Sequence, residues 1–313
     1  TNGFHDAANA IAVSVTTRAL RPLTALAMAA LLNVVGALVS TKVAATVGEG
    51  IINTPTGSHG LSVIFAALIG AIAWNLITWR LGLPSSSTHA LIGGLVGAGL
   101  ASATPVEWYG LVTKVIIPMV ASPVIGLLLG YLLMIGILWA CRRSRPTQVN
   151  RGFRRAQPIS SAAVAFSHGT QDAQKTMGVV TLALLATGHL TTFHVPLWVI
   201  LAAAGSMGLG TLAGGWRIIR TLGNRITTLD PPRAFAAQAA TSTVLLLSAY
   251  AYALPVSSTH VMTSSIMGVG ATRRTTAVRW GVARQIVTGW VLTIPGAALA
   301  AWLAYQAVRA AVG

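Results

Sequence analysis

Acidic residues and cysteine are scarce in this chain of 313 residues. It contains five Asp and Glu residues, a single cysteine and 8% charged residues in total, whereas 54% of its residues are hydrophobic. Because soluble domains carry roughly 25% charged residues, this composition argues against a soluble globular protein. The lone Cys141 excludes a disulfide within the chain and does not indicate a redox compartment.

Long apolar runs make up much of the chain. The stretches 22–41, 61–79 and 196–212 contain no Asp, Glu or Arg, and each is close to the roughly 20 residues that cross a hydrocarbon core. Proline, glycine and charged clusters divide the chain into about ten such segments. The segments are 1–17, 23–41, 61–79, 84–100, 109–141, 159–187, 196–214, 234–253, 255–271 and 285–308. The sequence therefore predicts an all-α polytopic membrane protein, with the lipid bilayer as its first partner.

The net charge of +16 would suit a nucleic-acid-binding protein, but the basic residues do not form a stripe that could follow a phosphate backbone. They cluster at the ends of the apolar runs, so no nucleic-acid partner is predicted. If each segment crosses the membrane once, every Lys and Arg falls on one side except Lys42, Lys114, Lys175 and Arg309. By the positive-inside rule this side is cytoplasmic, and both termini face outward.

The most basic stretch divides the chain into halves. Residues 142–158 are predicted to be a basic cytoplasmic linker between a first repeat at 1–141 and a second at 159–313. Five crossings per half is an odd number, so the second half starts from the opposite face, which predicts two inverted-topology repeats. The short segments 84–100 and 255–271 would be broken, tilted or re-entrant helices, and the arginine pattern favours helices that effectively cross.

The start of the chain lies inside a polar motif. Because the first residue is Thr1, we expect the beginning of the first helix to be missing, and no signal peptide is recognised.

Two polar motifs each occur twice, in the same order, within apolar surroundings. The first reads GFHDAAN at residues 3–9 and GTQDAQK at residues 169–175. The second reads LPSSSTH at residues 83–89 and LPVSSTH at residues 254–260. Polar residues inside a membrane are costly and usually functional, so the duplication predicts a polar site to which both halves contribute.

The Ser-Thr motifs favour anion binding. Proline fits the first turn of a helix, and Ser and Thr are good N-caps, so each motif predicts a half-helix whose N-terminus opens inside the membrane. Free N–H groups, the helix dipole and hydroxyls would suit a tetrahedral oxyanion. The candidate ligands are Ser86, Ser87, Thr88, Ser257, Ser258 and Thr259. Alternatively, such residues only bond helices together, but their duplication favours a binding site.

Two residue types flank these motifs. The glycines that follow them are expected to allow close helix packing. The histidines that end them, His89 and His260, are expected to orient the hydroxyls rather than bind a metal, and no resident metal site is predicted because HxxxH and CxxC patterns are absent.

Asp6 and Asp172 occupy matching positions of the other motif. An intramembrane carboxylate needs a counter-charge, a proton or a metal. With oxygen atoms from Asn9, and from Gln171, Gln174 and unwound carbonyls near Gly3 and Gly169, these motifs predict a site for a coupling cation or proton. A purely structural buried pair is the alternative.

Lys175 and His5 complete the predicted coupling site. Lys175 follows Asp172 by three residues, so it belongs to the cation site or forms a salt bridge on one helix face. It stands where Asn9 stands in the first repeat, and the two halves are therefore not electrostatically equivalent. His5 beside Asp6 is the candidate for proton handling, because imidazole titrates near neutral pH.

Together these motifs resemble the PiT (Pho4) inorganic phosphate transporter family. The resemblance covers nearly the whole chain and includes residues 2–10, residues 167–175, both Leu-Pro…Ser-Thr-His motifs and Arg220-Thr221-Leu222-Gly223. The Phe-His-Asp sequence and the short central loop resemble the bacterial low-affinity branch of that family.

The resemblance implies a secondary active importer in the cell membrane, the inner membrane of a bacterium, that carries inorganic phosphate by symport with protons. It also implies that the Ser-Ser-Thr clusters hold phosphate, that Asp6 and Asp172 occupy coupling-ion positions, and that a divalent metal can travel with the phosphate. Some family members use Na⁺, and related proteins move sulfate, so both remain alternatives. A channel would not need a duplicated site, and no nucleophile motif indicates an enzyme. A homodimer is left open.

Overall fold

The computed structural model describes residues 1–312, apart from the side chains of Glu49 and Val312. Within these residues the fold is all-α, as predicted, with one isolated antiparallel bridge between Ile52 and Val106. The helices are α1 (Asn2–Thr16), α2 (Pro22–Ala37), α3 (Lys42–Glu49), α4 (Gly57–Leu81), α5 (Ser87–Ala101), α6 (Trp108–Leu111), α7 (Ile117–Ala140), α8 (Pro146–Ala186), α9 (Leu197–Ala213), α10 (Trp216–Arg220), α11 (Pro231–Tyr250), α12 (Ser258–Ala271) and α13 (Trp280–Val312). A π-helical turn at Val112–Ile116 joins α6 to α7, and another at Thr221–Arg225 extends α10.

Several helices are suited to span a bilayer. Helix α4, the continuous stretch from α6 to α7, and α13 are long and apolar enough to cross alone. Two bent pairs qualify as broken spans, with α2 and α3 meeting at 76° and α9 and α10 (with its π-helical turn) at 61°. The chain is thus a multi-pass membrane protein, although fewer of its described helices meet this criterion than the ten segments predicted.

Helices α1 and α12 are more polar than α4 and α7, and they lie inside the bundle. Most residues of α1 and nearly every residue of α12 are buried, including Asp6, Asn9 and the Ser, Thr and His side chains of α12. Helices α7 and α13 lie outside and expose large apolar residues such as Val120, Leu128, Val291 and Leu299. Protein rather than lipid therefore surrounds the polar helices, as intramembrane polar groups require.

The first half (α1–α7) and the second half (α8–α13) interlock as inverted repeats would. Helix α5 packs on α13 of the other half, and its counterpart α12 packs on α7. The contacts use matching glycines, because a Cβ on Gly97 would lie 2.1 Å from the Ala298 carbonyl oxygen and one on Gly268 would lie 2.1 Å from that of Leu127. Similarly, α2 packs on α8 and α9 packs on α1. The prediction that glycines after the motifs allow close packing is confirmed.

The segment 142–158, predicted to be a linker, is mostly helical. Helix α8 begins at Pro146 and continues through Pro158 to Ala186. Proline is well suited to the first helical turn, which explains the start. Arg151, Arg154 and Arg155 are exposed on this helix, whereas the other three arginines of the segment precede it. Their polarity, read from the sequence, suggested a loop. The repeat boundaries themselves stay a prediction.

Arginines of the two halves meet where α4 ends against α10. Arg217 donates a 2.6 Å hydrogen bond to the carbonyl of Arg80, and Arg217 also lies over the ring of Trp79. Arg273 lies 3.4 Å from the Asp230 carboxylate. These contacts agree with the predicted clustering of arginines on one side, and the cytoplasmic orientation of that side remains a prediction.

Candidate functional site

Both Ser-Thr motifs start a helix, as predicted. Helix α5 follows the N-cap Ser86, whose hydroxyl accepts a 3.2 Å hydrogen bond from the backbone N–H of His89. Helix α12 follows the N-cap Ser257, whose hydroxyl accepts the equivalent 3.2 Å bond from His260. We call these two helix starts the α5 tip (residues 86–89) and the α12 tip (residues 257–260). Each tip is buried, so two helix N-termini open inside the protein.

The two tips meet in the centre of the bundle. The rings of His89 and His260 have centroids 4.8 Å apart, and His260 also stacks on Trp290 at 4.0 Å. No hydrogen bond joins either imidazole to a hydroxyl of the described residues, so the prediction that these histidines orient the hydroxyls is wrong. The rings instead pack edge to face on each other, one from each tip.

Asp6 of α1 accepts hydrogen bonds from both tips. The Ser87 hydroxyl donates to one carboxylate oxygen, and the Thr259 hydroxyl donates to the other at 3.0 Å. His5 Nδ1 lies 3.0 Å from the same carboxylate. All four side chains are buried, so hydroxyls of opposite halves converge on one carboxylate.

Asp172 of α8 is paired with a lysine. Lys175 Nζ lies 2.5 Å from Asp172 Oδ1, which confirms the i,i+3 salt bridge considered from the sequence. On its other oxygen, Asp172 faces His168 Nε2 at 3.0 Å and the Ser258 hydroxyl at 3.4 Å. The exposed fractions of Lys175 and Asp172 are 2% and 1%, and a buried ion pair of this kind depends on each charge satisfying the other.

Asn9 links α1 to the α12 tip. Its Nδ2 donates to Thr259 Oγ1 at 2.8 Å and to Ser258 Oγ at 3.2 Å, and it lies 3.5 Å from Asp6 Oδ1. Its Oδ1 is buried without a hydrogen-bond partner. The predicted coupling residues and the predicted oxyanion residues therefore share one cluster rather than two separate sites.

Two local expectations about this cluster are wrong. Gly3 and Gly169 do not unwind the chain but lie inside continuous helices, where each lets another helix approach: an added Cβ would be 2.5 Å from the Met207 carbonyl oxygen or 2.1 Å from that of Asn33. Gln174 points away from the cluster, because its Oε1 accepts the backbone N–H of Val43 at 2.7 Å at the start of α3.

Several polar partners were not predicted from the sequence. His5 Nε2 contacts Thr78 of α4 at 3.2 Å, and at the matching place Gln171 Nε2 donates to Ser248 of α11 at 2.7 Å. Single Thr and Ser residues in apolar helices carry little signal by themselves. Repeat alignment of α4 with α11 would have been needed to find this pair.

His168 is the most consequential of the missed residues. Ligand atoms of His168, Asp6 and Asp172 all lie within 4.8 Å of one another, and all three side chains are buried. Its Nδ1 lies 3.1 Å from Asn33 Oδ1, which fixes the ring. One imidazole and two carboxylates are ligands suited to a divalent cation. The spacing His168-x-x-x-Asp172 was the sequence signal for this group.

A second polar cluster joins α1, α8 and α11. Gln238 of α11 donates to Ser14 of α1 at 2.9 Å and to Ser161 of α8 at 2.7 Å, and it accepts from Ser160 at 2.7 Å. Nearby, Thr17 donates to Gln157 at 2.7 Å. These bonds hold together three helices that also carry residues of the site or pack on them.

An open cavity reaches the site from the side of α4 and α9. Its volume is about 230 Å³, and its polar wall includes Ser87, Thr88, Lys175 and Asn75. Hydroxyls of the α5 tip and the ammonium group of Lys175 therefore border a common space.

Comparison with a family model places nearly the whole chain in one group. The model described as the phosphate transporter family (PHO4) matches residues 2–147 and 140–301. Both copies of each polar motif lie within these ranges.

Relatives and a solved structure agree with this match. The chain is 47% identical over 310 residues to a "Probable low-affinity inorganic phosphate transporter" of Rhizobium meliloti (strain 1021), covering 98% of this chain and 92% of that protein. It is 44% identical over 307 residues to a protein of the same name from Bacillus subtilis (strain 168), with coverage of 97% and 92%. A solved structure titled "The sodium-dependent phosphate transporter" has a TM-score of 0.87 and 26% identity and covers 98% of this chain and 95% of that one.

Proposed function

Because the chain belongs to the phosphate transporter (PHO4, or PiT) family and is a transporter rather than an enzyme, we propose that it imports phosphate by symport with protons. Phosphate would bind between the α5 and α12 tips. The convergence of hydroxyls from both tips on Asp6 carries this proposal, since it joins an oxyanion site to a titratable group. The membrane would be the inner membrane of a bacterium.

The binding site would use the two tips in equivalent ways. Ser87 and Ser258 each contact the aspartate of their own half, whereas Thr88 and Thr259 each contact the other half. These hydroxyls can turn from the carboxylates to a phosphate that enters between them. Ser86 and Ser257 already accept the capping bonds, and their own hydroxyl protons remain for the anion.

Electrostatics would make phosphate entry depend on a cation. Lys175 neutralises Asp172, so Asp6 is the carboxylate whose charge a phosphate anion between the tips would meet. Two like unit charges about 5 Å apart repel by roughly 3 kcal/mol at an effective dielectric constant of about 20. Protonation or a bound cation removes this repulsion, so each ligand would raise the affinity for the other.

Protons are favoured because each aspartate has an imidazole beside it. His5 lies 3.0 Å from Asp6, and His168 lies 3.0 Å from Asp172. An imidazole ring has two nitrogens that can accept and donate a proton, so each carboxylate has a neighbour that can pass a proton to it. The solved relative is titled sodium-dependent, and coupling to Na⁺ is therefore the competing outcome of the test.

A divalent metal would travel with phosphate as part of the cargo. His168, Asp6 and Asp172 offer an imidazole and two carboxylates within 4.8 Å, a ligand set that suits such ions. Uptake of radioactive metal that rises with phosphate, and falls in His168→Ala, would support this part of the proposal. Metal uptake independent of phosphate would refute it. A homodimer stays a prediction.

Radiolabelled phosphate uptake into proteoliposomes tests the function. A proton gradient should drive uptake by the wild-type chain, a Na⁺ gradient alone should not, and Asp6→Asn should retain phosphate exchange but lose accumulation. Glu107→Gln, which changes a carboxylate bonded to Asn53 outside the site, is the matched control. Gradient-driven uptake that survives in Asp6→Asn and Asp172→Asn would refute the coupling residues. Uptake of sulfate in preference to phosphate would refute the substrate.

A further inference from the structure

The ammonium group of Lys175 has the surroundings of a bound cation. Nζ lies 2.5 Å from Thr88 Oγ1, 2.5 Å from Asp172 Oδ1 and 3.1 Å from the Val256 carbonyl oxygen. A lysine ammonium group has three N–H donors, and each has one acceptor here. These oxygens belong to α5, to α8 and to the loop before α12, so the ammonium group links three elements. A salt bridge within α8 alone would involve only Asp172.

The matching position in the first half holds no positive charge. Asn9 replaces Lys175, and its Nδ2 contacts Thr259 and Asp6, the counterparts of Thr88 and Asp172. The Asn9 Oδ1 is buried and has no hydrogen-bond partner. A buried carbonyl oxygen that accepts no hydrogen bond is unfavourable. Because a carboxylate lies beside this oxygen, one cation could be coordinated by both groups.

The two halves consequently differ in their charge balance. In the second half, the Lys175 ammonium group neutralises the Asp172 carboxylate, and both are almost completely buried. In the first half, Asp6 has only His5 as a basic neighbour within ion-pair distance among the described residues. A second cation at the position of the Lys175 ammonium group, against Asp172 Oδ1, is blocked by that group, whereas a cation beside Asp6 and Asn9 would meet a carboxylate and a buried amide oxygen without a partner.

We infer that Lys175 is a tethered cation that permanently fills the cation position of the second half, so that the coupling cation enters only the first half, at Asp6 and Asn9. This inference rests on the proposed symport and specifies where its coupling ion binds. Lys175 thereby limits the number of cations carried with each phosphate and excludes Na⁺ from the second half.

Replacing Lys175 by the residue of the first half tests this inference. Lys175→Asn would leave the Thr88 hydroxyl, the Asp172 carboxylate, the Val256 carbonyl and the new amide oxygen, an all-oxygen set suited to Na⁺. The purified variant should show a saturable rise of its melting temperature with NaCl relative to choline chloride that exceeds the rise shown by the wild-type chain, because it would hold one more Na⁺. In proteoliposomes, Na⁺ should accelerate its phosphate uptake several-fold, and reversal potentials should show one more cation per phosphate.

Two variants serve as controls. Lys175→Arg keeps the charge and should show neither the additional Na⁺-dependent stabilisation nor the extra cation, whatever its transport rate. Lys42→Asn makes the same substitution at an exposed position and should respond to Na⁺ like the wild-type chain. If Lys175→Asn does not fold, the double variant Asp172→Asn/Lys175→Gln removes both charges and should keep the wild-type number of cations per phosphate.

The outcomes separate this inference from the proposed function. If the wild-type chain accumulates phosphate but folded Lys175→Asn gains neither Na⁺-dependent stabilisation nor an additional cation, the inference is wrong and symport stands. A loss of one cation per phosphate in the double variant also contradicts it, since Asp172 would then bind a mobile ion. If the wild-type chain accumulates no phosphate under any gradient, the proposed function itself fails.

Discussion

His89 and His260 pack with ring centroids 4.8 Å apart, although they belong to opposite halves of the chain. Each lies in the first turn of a helix that starts inside the bundle, and each follows the Ser and Thr residues that surround Asp6 and Asp172. Their contact is one of those that join the two remote motifs in one site. It also explains why neither imidazole bonds to a hydroxyl, since their rings pack on each other and on Trp290.

Cross-linking between the tips is the first prediction. Because Cys141 is the only cysteine, His89→Cys/His260→Cys in a Cys141→Ser background presents one defined pair. A short thiol-reactive cross-linker should join the pair and stop phosphate uptake, since the proposed transport requires the two halves to move relative to each other. The control pair His189→Cys/His260→Cys, with one residue in the exposed loop after α8, should not react. The prediction is wrong if the cross-linker inhibits phosphate uptake without joining the two cysteines, or if the joined protein still takes up phosphate at the full rate.

Loss of the hydroxyls that converge on Asp6 should weaken phosphate binding. One hydrogen bond contributes about 1 kcal/mol, and more when a partner is charged, so Ser87→Ala or Thr259→Val should raise the KM for phosphate about tenfold. Uptake kinetics in proteoliposomes measure this change. Ser62→Ala, which removes a hydroxyl bonded only to the carbonyl of Ser58 in its own helix, should leave KM unchanged. If the KM for phosphate is the same in all three variants, the proposal that the tips bind phosphate is wrong.

The Lys175–Asp172 pair should control stability. Asp172→Asn leaves a buried ammonium group without its counter-charge, and breaking a buried ion pair typically costs about 3–5 kcal/mol. Thermal unfolding of the purified protein should show a large decrease for Asp172→Asn and recovery in Asp172→Asn/Lys175→Met. Should the single variant melt like the wild-type chain, the pair would not be structurally important. Asp6 has no lysine partner in the structure, and Asp6→Asn should change the melting temperature less.

The glycine contacts between halves should be sensitive to one methyl group. Gly97→Ala would place Cβ 2.1 Å from the Ala298 carbonyl oxygen, and Gly268→Ala would place it 2.1 Å from that of Leu127. Both backbones would have to separate, so each variant should lower the melting temperature and the uptake rate. Gly136→Ala, with no atom within 4 Å of the added methyl group, should behave like the wild-type chain or be slightly more stable. If Gly97→Ala and Gly268→Ala both keep the wild-type melting temperature and uptake rate, the helices are not packed as closely as described.

The sequence predicted the elements of this fold better than their environments. Repeated motifs identified the α5 and α12 tips, because the Leu-Pro-x-Ser-Ser/Thr pattern acts locally through helix capping. The helical start at Pro146 was missed because an arginine-rich stretch suggests a loop unless its neighbours are known. Unwinding at Gly3 and Gly169 was predicted wrongly, since a glycine required for close helix contact looks the same in sequence as one required for a break.

The site shows the same limit. Asp6 and Asp172 were recognisable as rare acidic residues in apolar surroundings. His168 and Thr78 were not assigned a role, because their importance follows from which helices pack together. Likewise, the asymmetry between Asn9 and Lys175 was visible in sequence, but its meaning depends on the three oxygens around the Lys175 ammonium group.

The number of phosphate ions bound per chain tests the central claim most directly. Equilibrium binding of radiolabelled phosphate to the purified protein should saturate at one ion per chain. Ser87→Ala and Ser258→Ala should each weaken that one site, and their combined effect should differ from the sum of the single effects because both hydroxyls contact the same ion. Two ions per chain, with each substitution weakening only one of them, would show that the tips are separate sites and would contradict a shared central site.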